Sequence, residues 1–367
     1  MTLPARPELA GAAPYGAPQL AVPVRLNVNE NPYAPPAAVI AAIASRVKAA
    51  AAQANRYPDR DFTELRHALR DYLAEESQAT YLSADQIWAA NGSNEVMLHV
   101  LQAFGGPGRT VTSFSPTYSM YPEYARDTFT TWLPGEREPD FSIDLERAIG
   151  HIDQTNPSVV LLASPNNPTG TAVPPATIEA LAKHTAGRAI LVVDEAYAEF
   201  RRPGTPSALA LVPNYNHLAV VRTMSKAFAF AGVRLGYLAG SAELVGYLRT
   251  VRLPYHLSAI TQAAALAALE HRQALMAQVA QLCVTRDYLA AKLRERDLEV
   301  PDSDANFVLF GRFADRHAVW QGLLDRGVLI REVGPDGWLR VSAGTEEETD
   351  LFLDALADVL DAPGRVG

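Results

Sequence analysis

The sequence predicts an α/β protein: a mostly parallel central sheet with helices on both faces, plus a smaller α+β domain near its end. Three observations carry that expectation. From about Asp85 onward, short apolar runs alternate with amphipathic stretches, the pattern of repeated strand–helix–strand units. A long Ala- and Leu-rich helical tract, Ser258 to Arg296, then interrupts the alternation. Beyond it the order changes to strand, helix, strand, strand, helix, which is compact enough to be a unit of its own. A chain of 367 residues, 48% hydrophobic and 20% charged, is long and apolar enough to bury two cores. The divisions expected from these shifts are an arm over 1–25, a linking segment over 26–52 lying partly with the smaller domain, a large domain over 53–255 and a small one over 256–367.

The elements follow in order. Residues 1–22 collect Pro4, Pro7, Gly11, Pro14, Gly16 and Pro18 without periodicity, and read as an extended arm outside any core. The Ala-rich stretch after Val39 reads as a helix packed on the fold, and Asp59 and Arg60 as turn charges. Strands are expected at Ile87–Ala90, Thr110–Ser113, Val159–Ala163, Ala189–Val193, Leu218–Val221 and Leu235–Ala239. Glu95–Phe104 and Thr177–Thr185 are amphipathic helices between them. The Ser258–Arg296 tract reads as a long helix connecting the domains. Then come a strand at Phe307–Phe310, a helix at Ala314–Arg326, and strands at Val328–Glu332 and Trp338–Ser342. Thr345 caps a last helix whose acidic first turn, Glu346–Glu348, suits the helix dipole.

Composition narrows the function. A net charge of −9 argues against a nucleic-acid surface. Cys283 stands alone, which excludes an internal disulfide framework and a cysteine-rich metal site. His67, His99, His217 and His256 lack metal-ligand spacing, so no metal is expected and they read as surface or packing residues. There is no apolar run of about 18 residues and no basic-then-apolar leader, so a cytoplasmic protein without a membrane partner is expected.

In parallel sheets, ligands sit beyond the carboxyl ends of the strands. Four loops there carry candidate chemistry. Lys226 follows the apolar run Leu218–Val221 and precedes Ala227-Phe228-Ala229-Phe230-Ala231-Gly232. That stretch desolvates an amine and lowers its pKa, as Schiff-base formation requires; alone, the lysine reads as a surface charge. Ser225 and Arg234 are suitable ligands for one phosphate. Asp194 ends the apolar run Val192-Val193, so it is partly buried and needs a cationic partner. An internal salt bridge and a protonated ring nitrogen both meet that need. Tyr197 stands three residues on. Ser164-Pro165-Asn166-Asn167-Pro168-Thr169-Gly170 is a turn that also offers the Asn167 amide. Asn91-Gly92-Ser93-Asn94-Glu95 opens a helix, where free N–H groups suit a phosphate. Asn306 precedes a strand, either bordering the substrate site or capping the strand entry.

These segments resemble the fold-type-I PLP enzymes, and among them the histidinol-phosphate aminotransferase family. The likeness spans nearly the whole chain after the arm. It rests on Leu26-Asn27-Val28-Asn29-Glu30-Asn31-Pro32-Tyr33, Asn55-Arg56-Tyr57-Pro58-Asp59 and Asn91-Gly92-Ser93-Asn94-Glu95. It continues through Pro116-Thr117-Tyr118-Ser119-Met120-Tyr121, Pro165-Asn166-Asn167-Pro168-Thr169-Gly170 and Asp194-Glu195-Ala196-Tyr197. It ends with Arg222-Thr223-Met224-Ser225-Lys226-Ala227-Phe228 and Leu339-Arg340-Val341-Ser342-Ala343-Gly344-Thr345.

The resemblance implies that Lys226 carries pyridoxal 5′-phosphate (PLP) as a Schiff base. It implies that Asp194 holds the pyridine nitrogen, that Tyr197 and Asn167 contact the ring oxygen, and that Tyr118 stacks on the ring. Gly92, Ser93, Asn94, Ser225 and Arg234 would hold the phosphate. Tyr57 would reach the phosphate in a neighbouring subunit, which implies a homodimer with shared sites. Arg340 matches a binder of the substrate α-carboxylate, and Arg331 and Tyr33 match positions near the substrate's distal anion. The family often has Asp at Asn94 and Gly at Ala34; neither departure touches Lys226 or Asp194. The implied reaction is a ping-pong transfer from a small amino donor to 2-oxoglutarate. Histidinol phosphate is the expected donor, since Arg331 beside Arg340 favours an anionic group; an aromatic amino acid, or decarboxylation of threonine phosphate, are the alternatives. A non-catalytic regulatory relative would lack the lysine or the aspartate, and both are present.

Overall fold

The computed structural model describes residues 3–9 and 11–361. Its centre is a seven-stranded sheet, in spatial order Ile87–Ala90, Gly236–Ala239, Leu218–Thr223, Ile190–Asp194, Val159–Ala163, Thr110–Thr112 and Thr131–Trp132. Strands such as Val159–Ala163 and Leu218–Thr223 are buried along their whole length, which is why they read as unbroken apolar runs. Pairing is parallel throughout, except that Gly236–Ala239 runs antiparallel to both neighbours. Gly236 lies opposite Ala90 on one side and Thr223 on the other. The reversed strand therefore begins at the edge where the others end, and it brings Arg234 to the loops after Ala90, Ala163, Asp194 and Thr223.

Glycine is required at 236. A Cβ there would lie 2.1 Å from the Ser93 nitrogen, so any side chain would push the helix Ser93–Phe104 away from the sheet edge.

A second apolar cluster holds Leu289, Leu293, Phe310, Leu323, Val341 and Phe352. Its strands Phe307–Phe310 and Leu339–Ser342 pair antiparallel. Thr345 caps the last helix, Glu346–Leu360, through a reciprocal capping box with Glu348. The helix after Val39, Ala37–Ala51, packs on Ala259–Glu270.

Two expectations are corrected. The arm does not run to residue 25: Val24–Arg25 pairs in parallel with Val328–Leu329, and Val24 is buried in the second cluster. The Ser258–Arg296 tract is not one helix. It breaks at His271 into Ala259–Glu270 and Arg272–Arg294. At the break Arg272 caps the Leu269 carbonyl at 3.0 Å and pairs with Glu75, contacts that a continuous helix would not make. The second helix gives Leu275, Val279 and Leu282 to the large core and Leu289 and Leu293 to the small one.

Candidate active site

The loops at the carboxyl edge surround a cleft of about 240 Å³. Its lining includes Ser93, Asn94, Tyr118, Asn167, Asp194, Tyr197, Ser225, Lys226, Arg234, Arg331 and Arg340. Eight loops and strand ends, far apart in the chain, thus meet as the sequence leads one to expect.

Lys226 sits on the turn leaving Leu218–Thr223. The turn is fixed because the Ser225 N–H donates to Thr223 Oγ1 at 3.2 Å, and Ala227 and Phe228 are fully buried beside it. Lys226 Nζ donates to the Val28 carbonyl at 2.9 Å. Burial lowers its pKa to about 8, with repulsion from Arg340 and Arg234 adding to the effect. A useful fraction of the amine is therefore unprotonated near neutral pH.

Asp194 ends the strand Ile190–Asp194 and is buried. It accepts from the Tyr121 hydroxyl at 3.0 Å and from the Ala196 N–H at 3.1 Å. Burial raises its pKa to about 6 against these two bonds. No cation pairs with it among the described residues.

Arg340 Nη1 donates to Asn167 Oδ1 at 2.5 Å and Nη2 to the Asn27 carbonyl at 2.9 Å, with the guanidinium 5.1 Å from the Phe307 ring centroid. Burial lowers its pKa to about 10, so it remains cationic. Arginine only donates, so Asn167 must present Oδ1 to it and turn Nδ2 the other way, 3.4 Å from Tyr197 Oη. Arg331 pairs its backbone with Arg340 and extends Nη2 to the Gly16 carbonyl at 3.5 Å. The Tyr118 hydroxyl donates to Asn94 Oδ1 at 3.4 Å.

At the other end of the cleft, Arg234 Nη1 donates to Ser225 Oγ at 3.4 Å. Gly92, at φ +82, precedes the helix Ser93–Phe104; a Cβ there would lie 2.6 Å from Arg234 Nη2. A guanidinium, a hydroxyl and the first N–H groups of a helix form a phosphate cradle. PLP fits these residues: the cradle suits its phosphate, Lys226 its carbonyl carbon, and the uncompensated Asp194 carboxylate a protonated ring nitrogen.

The family model Aminotransferase class I and II matches residues 22–356. This chain belongs to that family. It is a PLP-dependent aminotransferase. It is 56% identical to the histidinol-phosphate aminotransferase of Bifidobacterium longum, an alignment covering 98% of this chain and 97% of the relative. It is also 56% identical to that of Thermobifida fusca, covering 99% and 96%. Among solved structures, the aspartate aminotransferase of Thermus thermophilus with maleate is 27% identical, with a TM-score of 0.78 over 92% of this chain and 91% of the other. The PLP complex of the Sinorhizobium meliloti histidinol-phosphate aminotransferase shares the fold, with a TM-score of 0.82 at 24% identity over 92% and 91%.

Two residues singled out in the aminotransferase sequence lie elsewhere. Tyr57 is 79% exposed and stacks on Tyr255 at 4.4 Å. Tyr33 does not line the cleft; it packs against the large core, and burial with Glu346 and Glu348 raises its pKa. Residues missed by sequence reasoning are Tyr15 and Ala17 of the arm, which line the cleft. The Tyr15 hydroxyl is 2.9 Å from Ser119 Oγ. Tyr121 and Asn29 were also missed as contacts of Asp194 and Tyr197. Asn306 does not line the cleft; its Nδ2 donates to the Asn29 carbonyl at 3.1 Å and holds that segment.

Proposed function

We propose that this aminotransferase carries the amino group of L-histidinol phosphate to 2-oxoglutarate, giving imidazole acetol phosphate and L-glutamate in histidine biosynthesis. The observation that carries the chemistry is one cleft holding a buried carboxylate without a cation, Asp194, and a desolvated amine, Lys226. The names of the relatives support the donor.

PLP, when bound, supplies a carbonyl for the donor amine and a ring that withdraws electrons from the donor's Cα–H bond. Lys226 Nζ would take the donor's Cα proton and return it two bonds away, at the carbon that the PLP carbonyl supplies; its lowered pKa would let it do both near neutrality. Asp194 keeps a compensating negative charge at the ring nitrogen. Asn167 and Tyr197 would contact the ring oxygen, and Tyr118 would stack on the ring. Gly92, Ser93, Asn94, Ser225 and Arg234 hold the cofactor phosphate. Arg340 binds the α-carboxylate of glutamate or 2-oxoglutarate, and Arg331 the distal anion, each contact contributing about 1.5–3 kcal/mol.

The same reading makes the protein a cytoplasmic homodimer. Tyr57 is 79% exposed and stacked on Tyr255, which suits a partner subunit whose cofactor phosphate Tyr57 would reach. We place the large domain from 53 through the helix Ala259–Glu270, whose Ala264, Ala265 and Leu269 join its core, and the small one beyond, with the helix Arg272–Arg294 crossing between them.

The test compares histidinol phosphate, phenylalanine, tyrosine and threonine phosphate, with 2-oxoglutarate as acceptor for the transaminations. Histidinol phosphate should saturate at the lowest concentration. Saturation by an aromatic amino acid alone would replace the donor and leave the enzyme class intact. Lys226→Ala should lose at least about 10³-fold in turnover while still binding PLP; a near-normal rate would sink the whole reading.

A further inference from the structure

Asn29 is buried and stands in the left-handed backbone region at φ +55. All four of its polar groups are engaged. Its N–H donates to Ser342 Oγ at 2.9 Å, and its carbonyl accepts from Asn306 Nδ2 at 3.1 Å. Its Oδ1 accepts from the Ser342 hydroxyl at 3.2 Å, and its Nδ2 donates to Tyr197 Oη at 2.9 Å. The amide orientation follows from the donors available. Ser342 is buried and Asn29 Oδ1 is the acceptor for its hydroxyl hydrogen; reversing the amide would strand that hydrogen, so Oδ1 faces Ser342 and Nδ2 faces Tyr197.

Tyr197 Oη consequently receives two N–H groups, from Asn29 at 2.9 Å and from Asn167 at 3.4 Å. The Asn167 orientation is fixed independently by Arg340. With both donors aimed at its oxygen, the hydroxyl cannot turn its hydrogen toward either amide. We propose that Asn29 is a positioning residue for Tyr197, fixing its hydroxyl as a hydrogen donor into the cleft. Burial keeps the phenol protonated, as a donor must be. The same short segment presents the Asn27 carbonyl to Arg340 and the Val28 carbonyl to Lys226, so the groups for substrate, ring oxygen and proton transfer share one support.

The inference rests on the reading that PLP binds at Lys226 with its ring oxygen facing Tyr197. A donor to that oxygen stabilises its anionic form and lowers the pH at which the bound chromophore loses its proton. The readout is the pH midpoint of the visible absorbance change in the PLP-loaded enzyme without substrate.

Asn29→Gly suits the left-handed backbone and deletes only the side chain, so the backbone bonds to Ser342 and Asn306 survive. It should raise the midpoint by a few tenths of a unit and lower kcat roughly fivefold, the loss of about one hydrogen bond. Asn29→Asp should raise it further, by about one unit, because a carboxylate there accepts the Tyr197 hydrogen and turns it from the cleft. In a Tyr197→Phe background the Asn29→Gly shift should vanish and the Asn29→Asp shift should fall by at least half.

An unmoved midpoint in Asn29→Gly, or equal shifts in both backgrounds, would overturn the positioning role while leaving PLP at Lys226 intact. A wild-type protein with no titrating visible band after PLP loading would overturn both. Should Asn29→Asp fail to fold, the Asn29→Gly comparison in the two backgrounds still decides the matter.

Discussion

Asp194 and Glu195 are consecutive, both acidic and both buried, yet the fold treats them in opposite ways. Near the end of a strand, neighbouring side chains point to opposite sides. Glu195 points to the rear. There it accepts from Arg222 Nε at 2.8 Å, the Ser207 hydroxyl at 2.7 Å and the Ala208 N–H at 2.7 Å, with Arg201 at 3.6 Å. Asp194 points into the cleft and receives one hydroxyl and one N–H. The rear carboxylate is satisfied by the chain itself. The front one is kept at a cost to stability that, on the proposed reading, a cationic ring nitrogen would offset. The contrast separates a residue that holds the strand ends together from one that serves the reaction, although sequence patterning treats them alike.

The sharpest way to break the comparison is to neutralise each in turn. Asp194→Asn should lower turnover by about 10²–10³-fold, the usual loss when one preorganised electrostatic contact is removed. Freed of cofactor, the same variant should be more stable than the parent at pH 7 and above. Glu195→Gln should do the reverse. It leaves Arg222 underpaired in a buried site shared with Glu76 and Glu199, and should destabilise by about 3 kcal/mol while turnover per folded site stays near the parent's. Denaturant unfolding and steady-state rates on both variants decide this; equal losses of turnover would erase the distinction.

A second expectation concerns pH. With a pKa of about 6 against an ordinary 3.8, Asp194 holds its proton longer in the folded chain than in the unfolded one. Below pH 3.8 the group is protonated in both states and adds nothing. As pH rises toward 6 the unfolded chain releases its proton first, so stability falls. Above about 6 the full penalty stands, on the order of 3 kcal/mol. The cofactor-free parent and Asp194→Asn should therefore be nearly equal in stability near pH 4, and their difference should open between pH 4 and 6. A constant difference across that range would mean that Asp194 is not the titrating group.

Much of this was legible in the sequence. The central strands are unbroken apolar runs because both faces of the sheet are covered, and the loops at their carboxyl ends announce the site. Segments that keep family order led one to expect Lys226, Asp194, Asn167 and Arg340 in one place, and all four line the cleft. What could not be read is contact across the chain. Tyr121 lies 73 positions from the carboxylate it bonds, and Asn29 lies 168 from Tyr197. Tyr15 sits in a Pro- and Gly-rich stretch without periodicity, and no local signal brings it over the cleft. The break at His271 has neither Gly nor Pro to mark it; there Arg272 donates to the Leu269 carbonyl and pairs with Glu75. Arg222 read only as part of a motif, although it is 1% exposed and anchors three glutamates from different segments.

The smallest expected effect sharpens the comparison by removing one neutral donor from each carboxylate. Tyr121→Phe deletes the hydroxyl at Asp194, and Ser207→Ala the hydroxyl at Glu195. Each loss should cost about 1.5 kcal/mol at pH 8, since the acceptor is charged. Their pH dependence should differ. The Tyr121 bond favours the ionised form of Asp194, so without it the carboxyl protonates more readily and the upper end of its window moves above pH 6. Tyr121→Phe should then match the parent near pH 4, where protonated Asp194 no longer needs the donor, and fall behind only as pH rises. Ser207→Ala should keep a deficit at both ends of that range, because the same hydroxyl also accepts from the Leu209 N–H and from Arg222 Nη2, neither of which titrates there. Unfolding curves at pH 4, 6 and 8 on the cofactor-free proteins measure this, and parallel pH profiles for the two variants would show that the front carboxylate is no less compensated than the rear one.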